Sequence, residues 1–158
     1  MTATPEPHIE VSFGDPIDHR WVNQELVKQW ASQVLLDLEQ TGEVDIRLCD
    51  ETEMSATHSQ FAGKHYPTNV LSFPADINPA VGVRLLGDVL ICAPVIDREA
   101  QEQQKTRQQH LAHMVVHGVL HLLGFDHQHD EQAKTMESQE CRLLKQLGFP
   151  NPYDTAQP

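Results

Sequence analysis

Polar and apolar positions alternate along HIEVSF (8–13), and this pattern predicts a strand. From about Asp18 to Gln40, Trp21, Leu26, Trp30, Val34, Leu35 and Leu38 recur at helical spacing, and Gly42 follows as a stop signal. VDIRLC (44–49) predicts a second alternating strand. Residues 51–62 predict a short helix that ends near Gly63. NVLSFP (69–74) reads as a third strand closed by Pro74, and 75–84, with Pro79 and Gly82, as a loop. GDVLICA (87–93) reads as a fourth strand. Helices follow from Pro94 to about Gln103, from about Arg107 to Leu123, and over roughly 129–147, with Gly124 stopping the second of them. The order β-α-β-α-β-β-α-α-α predicts an α+β fold: a small mixed four-stranded sheet with helices packed over it. Strand order does not follow from the pattern. Residues 1–7 and 150–158 are rich in Pro and polar residues and read as loose ends. The 158 residues fit a single domain.

Composition narrows the classes. With 23 Asp+Glu against 11 Lys+Arg, the chain carries −12 with neutral histidines. So few cations argue against a protein that coats long duplexes, although a small cationic groove on an acidic body stays open. Cys49, Cys92 and Cys141 lie far apart, without a C-x-x-C pair. Cys49 and Cys92 fall in apolar runs and Cys141 in the last helix, so all three read as small hydrophobes in a reducing compartment. The N-terminus lacks a cationic start followed by an apolar run, so no signal peptide is expected. No stretch approaches about 18 consecutive apolar residues. A cytoplasmic protein without a membrane span is expected.

The chemistry concentrates in HGVLHLLGFDH (117–127). His117 and His121 are four apart on a helical segment, so both imidazoles share one face. Gly124 can take a left-handed conformation and turn the chain, so that His127 swings back toward them. Three nitrogen ligands leave a tetrahedral zinc one open position, the mark of a catalytic rather than a closed structural site. The site would lie at the end of the central helix. The spacing H-x-x-x-H-x-x-G-x-x-H is that of metzincin proteases, which carry a Glu base directly after the first His. Here that residue is Gly118, which can take no proton. A closed site would need a fourth ligand, with His113 and His129 as candidates. The other role for His113 is to orient a ligand imidazole. His110 and His129 read as surface residues. Asp126 either supports His127 or caps the final helix.

These residues resemble a known family. HMVVHGVLHLLGFDH (113–127) is similar to the signature of the YbeY endoribonucleases, H-G-x-L-H-L-x-G-[YF]-D-H. PTNVLSFP (67–74) resembles the family's second block and LLGDVLIC (85–92) its third, in matching order. The resemblance spans roughly residues 44–150. It implies a zinc-dependent, single-strand endoribonuclease of the bacterial cytoplasm, with one zinc ion per chain on His117, His121 and His127. It further implies maturation of the 3′ end of 16S ribosomal RNA and ribosome quality control, with the small ribosomal subunit and the GTPase Era as partners. One position departs: where the family has an Arg before the Gly-Lys that precedes the second block, this chain has Ala62, and Lys64 remains. Ala cannot make a charge-assisted bond to phosphate, so either Lys64 or another cation such as Arg84 supplies the positive charge, with a protonated His65 as a further contributor, or that Arg matters less to the family's chemistry.

Without a carboxylate base after the first ligand, the expected nucleophile is either a metal-activated water or a substrate 2′-hydroxyl, and no catalytic side chain is assigned. Tyr66 and Phe73 offer stacking faces for unpaired bases, with Phe73 the better fit to the core. Two other readings stay open at this stage. One is a metallohydrolase acting on a different bond, and the other a non-enzymatic ribosome assembly factor with a structural zinc.

Overall fold

The computed structural model describes residues 6–14, 21–75 and 85–154. Four strands, β1 (His8–Phe13), β2 (Glu43–Cys49), β3 (Val70–Pro74) and β4 (Leu85–Cys92), form one sheet in the order β1-β2-β4-β3. β1 pairs parallel with β2, and β2 parallel with β4, whereas β3 runs antiparallel to β4. The sheet is therefore mixed, and the fold is α+β as expected. The helices are α1 (Gln24–Asp37), α2 (Glu51–Ala62), α3 (Ala93–Glu102), α4 (Arg107–Leu122) and α5 (Asp130–Gln146). None of the described helices is long and apolar enough to cross a membrane.

Alternation decides which strand residues face which layer. Val44, Ile46 and Leu48 of β2, Ile9 and Val11 of β1, and Val89 and Ile91 of β4 point into the main core. There they meet Val27, Trp30, Ala31, Val34 and Leu35 of α1 and Leu111, Val115, Val119 and Leu120 of α4. The opposite sheet face carries a smaller cluster: Cys49, Leu90 and Cys92 pack with Met54 of α2 and Val95 of α3. Cys49 and Cys92 are thus buried hydrophobes, as expected, while Cys141 is half-buried with its thiol donating to Asn151 Oδ1 at 3.2 Å. α4 lies between the layers, packing on β3, β4, α1, α3 and α5. Its sequence is apolar nearly all round because nearly every side of it is covered.

Local chemistry sets the ends of the helices. Asn23 caps α1 by accepting from the amides of Glu25 and Leu26. The helix therefore starts later than the apolar spacing suggested. Trp21 lies before the cap, and Asp18–Arg20 fall outside the described residues. Thr106 and Gln109 form a reciprocal capping box at the start of α4. Leu123 closes α4, and Gly124 follows at φ 99°, a conformation that favours glycine and turns the chain toward α5.

The C-terminal segment differs from expectation. Through Asp154 it is docked rather than loose. Lys105 Nζ donates to Pro152 O at 2.6 Å, and the Phe149 ring meets Trp30 edge-on at 5.6 Å. Composition marked these residues as polar and Pro-rich but could not show the partners that hold them.

Candidate metal centre

Two of the three candidate ligands come from one helical face. His117 and His121 project from the last turns of α4 with ring centroids 4.9 Å apart. The turn at Gly124 brings His127 to 5.5 Å from His117 and 5.0 Å from His121, centroid to centroid. One ring nitrogen of each lies within 4.8 Å of the others, so the three could hold a metal ion. Tetrahedral coordination with bonds of about 2.0–2.1 Å needs nitrogens roughly 3.4 Å apart. His127, on the turn, is the exposed member of the three, with a side chain 54% exposed.

The electrostatics suit a metal ligand. Burial pushes the His121 pKa down, and His117 and His127 push it further the same way. The imidazole therefore stays neutral, as a ligand must be. Asp126 accepts from the His127 amide at 2.7 Å, and its carboxylate lies 3.9 Å from His127 Nδ1. Of the two roles read for Asp126, the one beside His127 is found; the N-cap of α5 is His129, which is exposed and makes no side-chain capping bond.

Behind the three imidazoles lies a carboxylate that the sequence did not single out. Glu140 of α5 is 1% exposed. Its Oε2 is 3.0 Å from His117 Nδ1, and its Oε1 is 2.6 Å from His113 Nε2. The Tyr153 hydroxyl also donates to Oε1. Burial raises the Glu140 pKa, but the bonds from His113 and His117 outweigh it and bring it down to about 2. Glu140 is thus ionised and accepts from all three neighbours. His113, offered as a fourth ligand or an orienting residue, is turned to this carboxylate. No signal in a single sequence links Glu140 or Tyr153 to His117, because 23 and 36 residues separate them from it.

His110 corrects the surface reading. It is 3% exposed, and its Nε2 lies 2.8 Å from Glu99 Oε1, which also accepts from Asn69 at 3.1 Å. Helical spacing gave its face but not the α3 carboxylate that stands against it.

Gly118 has a packing reason. A Cβ there would lie 2.6 Å from Val89 Cγ1, and Ser72 Oγ donates to the Gly118 carbonyl at 3.0 Å. The position where a metzincin carries its base is here pressed against the sheet.

Ala62, Lys64 and His65 are exposed at and beyond the end of α2, and Arg84 lies outside the described residues. Their loop leads to Asn69, tied through Glu99 to His110 in the first turn of α4. His110 is about 16 Å along the helix axis from His121. Tyr66 is 54% exposed, its ring edge-on to His58 at 5.1 Å. Phe73 packs with the small core on the sheet face away from α4, against Phe61 at 5.0 Å.

Residues 15–148 match the sequence profile of the family described as Endoribonuclease YbeY. The chain belongs to the YbeY endoribonuclease family. An Endoribonuclease YbeY of Alteromonas mediterranea is 52% identical over 126 residues, which cover 79% of this chain and 80% of that one. The solution structure of TM1509 from Thermotoga maritima shares the fold at a TM-score of 0.58 and 22% identity, covering 92% of this chain and 99% of that one. Membership in the YbeY endoribonuclease family supports an RNA endonuclease role for this chain, and the histidine cluster lies in the segment the family profile covers.

Proposed function

We propose that this chain is a cytoplasmic, single-strand-specific endoribonuclease that uses one zinc ion on His117, His121 and His127. Its substrate is the 16S ribosomal RNA precursor, matured at its 3′ end on the small ribosomal subunit with Era as a partner. The observation that carries the reading is the convergence of exactly these three imidazoles, with His113 committed to Glu140 and no fourth side chain joining them among the described residues. Three protein ligands leave a position for water or substrate, which favours a catalytic over a closed structural zinc. Zinc bound there would supply a lowered pKa for a bound water and a polarised phosphoryl oxygen.

The chain's own residues fix the rest. Glu140 holds His117, Asp126 lies beside His127, and Gly118 leaves no carboxylate next to the first ligand. That absence argues against peptide hydrolysis. The 16S substrate and the ribosomal partners rest on the family resemblance, and the −12 charge suits a nuclease that binds free RNA weakly and finds it on a larger assembly.

Metal analysis paired with RNA cleavage tests the reading. Wild type should carry one zinc and cut single-stranded RNA in preference to duplex, and His121→Ala should lose both properties. Equal cleavage by the two proteins would sink it. Mapping the product ends separates the two nucleophiles: a 2′,3′-cyclic phosphate marks 2′-hydroxyl attack, and its absence marks water.

A further inference from the structure

The three acceptor bonds to Glu140 reach well beyond what its own burial requires. The carboxylate is 1% exposed and faces His117, His113 and Tyr153 at once. An ionised carboxylate only accepts, so His117 must donate from Nδ1. In the neutral ring that a metal requires, Nε2 of His117 is then the nitrogen left for a ligand bond. His113 bonds the same carboxylate through Nε2, and its Nδ1 is buried without a partner.

Tyr153 belongs to the docked C-terminal segment. Its amide is bonded to Asn151 Oδ1 at 2.8 Å, and Asn151 in turn accepts from the Cys141 thiol one residue after Glu140. The segment is held at a third point where Lys105 reaches Pro152. Burial and Glu140 together push the Tyr153 hydroxyl pKa up, so it stays a donor.

We propose that Glu140 and Tyr153 are positioning residues for the metal centre. Glu140 fixes the tautomer and the ring plane of His117 so that Nε2 is aimed at the other two imidazoles. The C-terminal segment, through Tyr153, fixes Glu140. The inference rests on the reading of the three histidines as metal ligands. It adds that the ligand set is pre-organised from α5 and the C-terminal segment, 23 and 36 residues downstream of His117.

Two measurements on the purified full chain test it. The first is Zn2+ affinity, by competition with a chromophoric chelator. Glu140→Gln keeps the shape and removes the charge, and the loss expected is about 10–100-fold, the usual effect of a residue that supports a metal-ligating His. Tyr153→Phe removes only the hydroxyl at a half-exposed ring, and the loss expected is smaller, roughly threefold. The second measurement needs no metal: imidazole proton–nitrogen correlation spectra of the metal-free chain. Wild type should show His117 protonated at Nδ1, and Glu140→Gln should lose that preference. Should Glu140→Gln fail to fold, Tyr153→Phe carries the test. Folded variants with wild-type zinc affinity and an unchanged His117 tautomer would show a framework role only and overturn the inference. A wild type that binds no zinc would instead remove the metal reading itself.

Discussion

α4 carries two sets of histidines with opposite fates. His110 and His113, in its first half, are buried, and each gives one nitrogen to a carboxylate, Glu99 of α3 or Glu140 of α5, while the other nitrogen has no partner. His117 and His121, in its second half, open toward a turn that returns His127 to them. The residue type and the helix are the same, and His117 shares the Glu140 carboxylate with His113; the difference is what faces the other ring nitrogen. A buried imidazole whose second nitrogen has no partner makes a framework contact. A second and third imidazole facing it, at the mouth of a turn, make a place for a cation.

The sharpest way to break the comparison is to remove one member of the open set. His121→Ala should abolish stoichiometric metal and lower RNA cleavage by at least about 100-fold, while the folded chain remains. Retention of one zinc with full cleavage would erase the distinction. The next largest effect concerns the glycine between the two open-set ligands. Gly118→Glu, which restores the protease pattern, should cost about 3 kcal/mol or more, because it drives a side chain into Val89 and buries a charge. It should create no peptidase activity. A stable variant that cuts peptides would show that the sheet does not exclude a base there.

The closed set should behave differently. His110→Ala leaves a void and deprives Glu99 of its imidazole partner, so denaturation should show a loss of about 2 kcal/mol with zinc content still one per chain. Loss of the ion would merge the two sets. The smallest effect is on pH dependence. Burial lowers the His110 pKa against the opposing pull of Glu99. The unfolded chain therefore takes up this proton first. The stability contributed by neutral His110 is complete above about pH 6.5 and is lost as pH falls through the lower folded value. In the metal-free chain, His110→Gln should flatten the fall in stability below about pH 6.5; an unchanged slope would mean that His110 is not held neutral.

The two sets also differ in how far they could be read from sequence. His117, His121, Gly124 and His127 are close in the chain, and their relation follows from helical geometry and one glycine turn. His110 was misread as a surface residue because periodicity specifies a face and not its cover, and here the Glu99 carboxylate stands against it. Glu140 looked like any acidic residue on a polar helix, and Tyr153 like part of a loose tail, since only tertiary packing brings them to His117 and His113. The strands and helices were legible from alternation and spacing. The β1-β2-β4-β3 order was not, because it depends on which strands pair across the connecting helices.

The uneven mounting of the three imidazoles bears on the lifetime of a bound ion. Two stand on a buried helix, whereas His127 stands on an exposed turn. An ion held there would release the turn's imidazole first, leaving a two-coordinate remnant open to capture by a competing chelator. Exchange would then keep pace with local opening of the turn rather than with unfolding of the chain. Such a centre would fill and empty on the timescale of a loop, and its occupancy would follow the free metal ion around it.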